Sequence, residues 1–411
     1  MNDTNTSLVQ RFNIFRFLSI AQSAGEKNIP LFTKWSVLQL LLAIGAVGVI
    51  IAKLIWGLGA VTNLNDSWPW GLWVGFDVGV YIATAAGGFT LAAIVYIFRS
   101  ERFRPLVKPA ILIGALFYTI AGIGIFTDLG RSINIVHPIW MWQHNSIMFE
   151  VSWCVMCYLT VLYLEFSPNI FERFKLKNAQ KLHHWIAIPL VLSGILLSFL
   201  HQSSLGALFL ITPDQHPLWH GPEMGYLFLI SAMAIGLSVL ILTSIVTSKS
   251  WKMTLRMDVL SRLGLITAFV LAVYLAIRFI EFASTGNLSA FKLDEFGLLF
   301  FLEVGIGMLL PMTLLFFKRI RNSVKGLAWS ASLIVMGVMI NRFMVLVISH
   351  APARTGSYFP SATEFLFTFG LIAGVMFVFR LAAKYLPLYS DHYKGIPNAT
   401  PEKHPEAVSA E

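Results

Sequence analysis

Charge is what this chain has least of: 12% of its 411 residues are Asp, Glu, Lys or Arg, against 56% that are apolar. So few charges cannot cover a water-soluble surface, whereas a lipid-facing surface needs none. Cysteine is nearly missing too. Cys154 and Cys157 fall short of the four thiolates an iron–sulfur cluster normally takes, and they sit three apart inside an apolar run, where they read as packing residues. Of ten histidines only His201 is expected near the apolar interior, so no facing pair for a membrane haem is seen. A phosphate-cradling Gly loop is absent, as is any soluble stretch large enough to house one. If the chain carries electrons, it borrows the metal centres of a partner.

What is present is ten long apolar stretches, at about 35–59, 70–98, 106–127, 145–164, 182–200, 222–246, 260–282, 296–317, 326–349 and 363–386. Each reaches or approaches the roughly 20 residues that cross a ~30 Å hydrocarbon core, which predicts an all-α integral membrane protein of about ten transmembrane helices. Alternate connections are basic, carrying Arg99, Arg102, Arg104 and Lys108, then Arg173 to Lys181, Lys249 to Arg262, and Lys318 to Lys325. With the two ends of the chain, 24 of 30 Lys and Arg fall on one side, so both termini are expected in the cytoplasm. The net charge of +9 then reflects orientation and attraction to anionic membrane lipid, and not nucleic-acid binding.

The first 34 residues read as a cytoplasmic tail without a cleavable leader, with Arg11 to Ile20 either an interfacial helix or an ordinary juxtamembrane segment. The polar stretch 390–411 reads as a loose cytoplasmic tail. Residues 35–69 make a first helix and its outer loop, and 350–389 contain the last helix.

Ionisable side chains inside apolar spans are costly and therefore candidates for function. Lys53, Asp77, Glu150, Arg278, Glu281, Glu303 and Arg342 all fall in the outer half, with Asp128, Arg131, His201 and Glu364 at the same edge. Structural roles are at hand for several. Arg278 and Glu281 stand at i, i+3, Arg342 and Glu303 can pair across helices, and Lys53 can snorkel outward. Asp77 and Glu150 have no basic residue at i±3 or i±4. Gly71, Gly75, Gly79, Ala83 and Gly87 form a small-residue ridge for close helix approach, and Asp77 lies about 200° round from it, aimed at another space. Glu150 shares a stripe with Trp153, Cys154, Cys157 and Tyr158, an aromatic wall suited to a stacked ring but equally usual in packing. After the run His201, Gln202, Ser203, Ser204, the apolar piece Leu205 to Thr212 is too short to cross. It reads either as a re-entrant segment or as a capped helix end.

These residues also carry a resemblance. WPWGLWVGFD (Trp68 to Asp77), AAGG (Ala85 to Gly88), RPLVKPA (Arg104 to Ala110), D-x-x-R at Asp128 and Arg131, N-S-x-x-F-E ending at Glu150, HQSS at His201 and HPLW at His216 resemble, in this order, the NrfD/PsrC family of quinone-interacting membrane subunits. The likeness is nearest to its ten-helix HybB-type members, which serve periplasmic nickel–iron hydrogenases. It implies two four-helix bundles, here 70–221 and 222–349, flanked by one helix at each end, in a prokaryotic cytoplasmic membrane. It further implies bound menaquinone or ubiquinone, no haem or iron–sulfur cluster in this chain, and a periplasmic ferredoxin-like iron–sulfur partner with its catalytic or cytochrome subunit. Matched position by position, Asp77, Tyr118, His201 and Gln202 would bind the quinone, Glu150 and Asp77 would act catalytically, and Glu150, Lys108, Asp128 and Arg131 would move protons. The HybB-type pattern has an acid late in the sixth span, where this chain has only Thr243 or Ser244, which puts a proton route through that position in doubt.

Two other classes fit some of these features. An ion-coupled secondary transporter would suit ten spans with charges, yet transporters bind at the midplane on repeat-related broken helices. A passive anchor for a periplasmic enzyme would leave Asp77 and Glu150 without a task.

Overall fold

The computed structural model describes residues 29–389 apart from 69, 212–214, 287–289, 291, 293 and 354–356. The interfacial segment read at 11–20 and the tail at 390–411 lie outside the described residues. Among the described residues every regular element is helical. Ten helices are long and apolar enough to cross a membrane: α1 Lys34–Trp56, α2 Trp73–Ile97, α3 Glu101–Asp128, α4 Ile147–Arg173, α5 Lys177–Ile211, α6 Met224–Trp251, α7 Met257–Thr285, α8 Glu295–Phe316, α9 Val324–His350 and α10 Ala362–Tyr385. Large apolar side chains such as Trp35, Trp185 and Trp329 stand exposed round the outside, as a lipid-facing surface requires.

Helices α2 to α5 close into one ring of neighbours and α6 to α9 into another, while α1 and α10 pair with each other and lean on α2 and α3. The rings meet along α2, which is the most buried span of all. Its glycine ridge faces the second ring, as the spacing indicated. A Cβ on Gly79 would lie 3.4 Å from Arg342 of α9, and one on Gly87 only 2.6 Å from the Gly236 carbonyl oxygen of α6. The two backbones touch there, so only glycine fits at either position.

Regular α-geometry is interrupted twice at acids. Trp73–Val78, around Asp77, and Phe301–Leu309, around Glu303, are π-helical, a widened turn that often accompanies functional sites. Helix starts are conventional. Ser146, Asp294, Ser323 and Ser361 each accept a backbone N–H at the start of a helix, and Ser361 with Glu364 forms a capping box.

Two points that the sequence leaves open are decided by neighbouring helices. The segment after His201 does not turn back over the bundle: α5 continues through Leu208 and ends in a 3₁₀ turn at Phe209–Ile211. Gly206 permits this, because the Met224 carbonyl oxygen and Gly225 of α6 press so close that a Cβ there would sit 2.6 Å from that oxygen. Lys53 does not snorkel. It is 3% exposed, and its Nζ donates to the Leu129 carbonyl at 2.6 Å and to Ser132 Oγ. Binding two acceptors in the α3 exit loop offsets the cost of burying the amine.

Candidate functional site

Inside the α2–α5 ring lies a cluster of polar side chains that the fold leaves without partners. Tyr118 of α3, Tyr158 of α4 and His201 of α5 are at most 1% exposed. The Tyr118 ring meets Tyr158 edge-on at 4.6 Å between centroids and His201 at 5.8 Å. Neither tyrosine hydroxyl, neither His201 nitrogen, nor the Ser198 hydroxyl, which is also fully buried, makes a hydrogen bond of good geometry, although Ser198 lies near both tyrosine hydroxyls, Gln202 near Tyr118 and the Val151 backbone near His201. Gln202 donates from Nε2 to the Ile82 carbonyl of α2 at 2.9 Å, while its Oε1 stays unpaired. Buried polar groups are nearly always satisfied, so this concentration of free donors and acceptors calls for an explanation.

Asp77 stands apart from this group but against the same helix. It is wholly buried, and its Cβ contacts the α-carbon region of Gly124, about 9 Å along α3 from Tyr118 at 1.5 Å per residue. The hydroxyls of Thr368 on α10 and of Tyr81 lie beside its carboxyl group, but neither carboxyl oxygen makes a hydrogen bond of good geometry. The Tyr81 hydroxyl, also beside Asp77, donates to the Thr368 carbonyl at 2.8 Å. Because Ile82 follows Tyr81 in the chain, one stretch of α2 links Asp77 to Gln202.

Glu150 occupies the other side of the ring and is exposed, at the first turn of α4. Its Oε1 accepts from the Ser204 hydroxyl at 2.6 Å, two residues beyond Gln202. Trp142, Phe149 and Trp153 crowd the same end with ring centroids 5.2 to 6.2 Å apart. The sequence-picked residues thus fall in three places: Glu150 at an aromatic-rimmed surface, Tyr118, His201 and Gln202 within, and Asp77 beyond.

The remaining candidates are not gathered there. Lys108 lies at the basic end, pairing with Glu172 at 3.3 Å and the Pro387 carbonyl at 3.2 Å. Asp128 has Lys53 as its nearby cation, not Arg131, which is exposed. Tyr158 and Ser198 complete the inner cluster. Tyr158 was visible in the aromatic stripe of α4, whereas nothing in the sequence marked Ser198 out from the other serines of the spans.

The second ring holds its own polar core, whose acids and amides are hydrogen-bonded and whose two arginines each leave only Nε unpaired. Glu303 accepts from Trp219 Nε1 at 2.6 Å and from Asn341 Nδ2 at 2.7 Å, and Arg342 reaches it only through Asn341 Oδ1, at 2.7 Å. Arg342 also donates to Ser231 Oγ and the Phe228 carbonyl. Arg278 and Glu281 pair at 2.7 Å. Every charged group here has at least one hydrogen-bond partner, unlike Asp77 in the first ring.

The family model for polysulphide reductase, NrfD, matches residues 60–351. This chain belongs to the NrfD family. Its relatives include a probable Ni/Fe-hydrogenase 2 b-type cytochrome subunit of Escherichia coli, 31% identical over 82% of this chain and 88% of the relative. The integral membrane subunit of a menaquinone reductase from Nitratidesulfovibrio vulgaris is 30% identical over 81% of this NrfD chain and 86% of its own. An Hdr-like menaquinol oxidoreductase membrane subunit from Archaeoglobus fulgidus is 21% identical over 80% and 87%. The NrfD protein described here is accordingly a multi-pass membrane protein related to membrane subunits of oxidoreductase complexes.

The first of those names implies haem b, so its fit to this chain can be tested. Among the described residues, His201 and His350 are the fully buried histidines, on α5 and at the end of α9. Both nitrogens of His350 are engaged, with Gln215 at 3.2 Å and Ser349 at 3.3 Å, so they do not form a ligand pair.

Proposed function

We propose that the α2–α5 ring binds a membrane quinone, menaquinone or ubiquinone, and exchanges electrons between it and a partner iron–sulfur subunit. That partner, ferredoxin-like and joined to a catalytic or cytochrome subunit, docks on the sparsely charged face, which is periplasmic in a prokaryotic cytoplasmic membrane. The observation that carries the reading is the cluster of unsatisfied donors and acceptors at Tyr118, Tyr158, Ser198, His201 and Gln202. A quinone ring offers two carbonyl acceptors and, once reduced, two hydroxyl donors, and so completes what these side chains lack.

Reduction consumes two electrons and two protons per ring, and oxidation returns them. Tyr118 and His201 hydrogen-bond a carbonyl oxygen and stabilise the charge that develops on it when an electron arrives. Gln202, fixed by Ile82, sets the orientation. Asp77, wholly buried in a spanning helix with no cation beside it, is placed to take part in proton transfer when charge develops on the ring. Glu150 exchanges protons with the aqueous face through Ser204. Asp128 and Arg131 shape the field at that same edge, and Lys108 marks the far end of α3, where a path toward the basic face would begin.

The experiment is quinone-linked turnover in the purified complex carrying Asp77→Asn or Glu150→Gln. Both variants assemble with the partner, and each loses quinone-dependent electron transfer while the partner still reduces or oxidises a soluble dye. Full turnover in both would refute the assignment of these carboxyls, and assembly with no quinone-dependent activity even in the unmodified chain would leave only an anchor.

A further inference from the structure

Three of the basic turns converge at the end of the molecule opposite Glu150, and two cavities open among them. One, of about 630 Å³, is walled by Arg102, Arg104, Lys108 and Arg256, with Tyr96 and Leu388 as its apolar side. The other, of about 540 Å³, is walled by Arg102, Arg262, Lys318 and Arg321, with Leu265 as its apolar side. Arg102 belongs to both. It stands at the seam between the α2–α3 turn, the α6–α7 turn and the α8–α9 turn, and so between the two helical rings.

Counting neutralised charges separates these cavities from ordinary basic loops. Arg104 pairs with Glu101, Lys108 with Glu172 and Arg256 with Asp258, at 2.7, 3.3 and 3.2 Å. Arg321 has no acid but donates to Ser261 and to the carbonyls of Leu315 and Phe316. Among the described residues Arg102, Arg262 and Lys318 make no ion pair or side-chain hydrogen bond, and these three surround the seam. Unpaired cations at a membrane surface attract anionic headgroups, and basic pockets between spanning helices hold them specifically.

We infer that this seam binds a single anionic lipid carrying two phosphates on one short linker, a diphosphatidylglycerol. One phosphate lies in each cavity, Arg102 is shared by both, and the acyl chains leave past Tyr96, Leu265 and Leu388. A lipid with one phosphate fills one cavity only and leaves Arg102 half used. Bridging three turns from both rings, the lipid ties the rings together at the end where no glycine contact joins them. The same chemistry would recognise free pyrophosphate, but the apolar wall beside each cavity selects a lipid.

Native mass spectrometry of the delipidated full chain tests this by titration with diphosphatidylglycerol, phosphatidylglycerol and inorganic pyrophosphate. The expected result is one diphosphatidylglycerol retained per chain. Arg102→Glu and Arg262→Glu each weaken it about tenfold, and Lys177→Glu, on the same face but lining neither cavity, leaves it unchanged. Arg102 and Arg262 are exposed and unpaired, so neither reversal endangers folding. Two phosphatidylglycerols bound with equal strength would overturn the bridging assignment. Equal weakening by Lys177→Glu would reduce the effect to general surface charge, and competition by pyrophosphate at the same concentration would remove the lipid's chains from recognition.

Discussion

Replacing Tyr118 by Phe separates a side chain kept for the fold from one kept for a ligand. Its hydroxyl is wholly buried and makes no hydrogen bond of good geometry, with only Ser198 and Gln202 near it, so in the ligand-free protein it is a liability of up to about 3 kcal/mol relative to a satisfied group. The ring itself does the packing, edge-on to Tyr158 and against His201, and phenylalanine keeps it. Tyr118→Phe is therefore expected to unfold at the same temperature as the unmodified protein or somewhat higher. Tyr81→Phe provides the contrast. Its hydroxyl donates to Thr368 at 2.8 Å, and losing a satisfied bond of that kind costs about 0.5–1.5 kcal/mol. The assay is thermal unfolding of both variants in one detergent, beside quinone-linked turnover of the complex. Tyr118→Phe should lose most turnover at no cost in stability, with a raised KM for quinone. A destabilised Tyr118→Phe that turns over normally would refute the reasoning, since its hydroxyl would then serve the fold alone.

Glu281→Gln should cost about 3–5 kcal/mol, because it strands the buried Arg278 guanidinium, and chemical denaturation would register the loss. Gly236→Val should prevent the rings from closing, since the Gly87 backbone occupies the space of any side chain there, and the variant should run as an expanded species in size-exclusion chromatography. His216, in the loop before α6, has its imidazole pushed below the ordinary histidine range by burial, with Asp294 opposing. Its contribution to stability is therefore complete above the unfolded value and is lost as the pH falls through the folded one. Acidification below about pH 6.5 should loosen its stacking on Phe296, 4.5 Å away, and speed hydrogen exchange at the Leu218 amide, which donates to the His216 ring.

Much of this architecture was legible because lipid imposes length and charge rules on a sequence. The ten spans follow from apolar run length, and the facing of the α2 glycines from a four-residue repeat. The Arg278–Glu281 pair follows from i, i+3 spacing. What stayed hidden depends on neighbours distant in sequence. Lys53 turns inward because Leu129 and Ser132 happen to offer acceptors, and α5 runs on past Gly206 because α6 comes close there. Glu303 and Arg342 communicate through Asn341, a neutral residue that carries no signal of its own. The π-helical turns around Asp77 and Glu303 are a matter of hydrogen-bond register, which composition does not encode. His350 escaped notice because it closes α9 at what reads as a loop, yet it is fully enclosed.

The pairing of α1 with α10 bears on how the protein is made. Alone, α1 presents an almost wholly lipid-facing surface, with 17% of its apolar window covered even in the finished molecule. What covers it arrives last: Glu364 receives the Asn63 amide, Ser361 and Thr363 grip the Val61 carbonyl, and Arg380 reaches Pro30. During synthesis the first helix must therefore wait in the bilayer while eight others are inserted, and a ribosome that stalls before residue 362 leaves an open, unlatched chain for quality control to find.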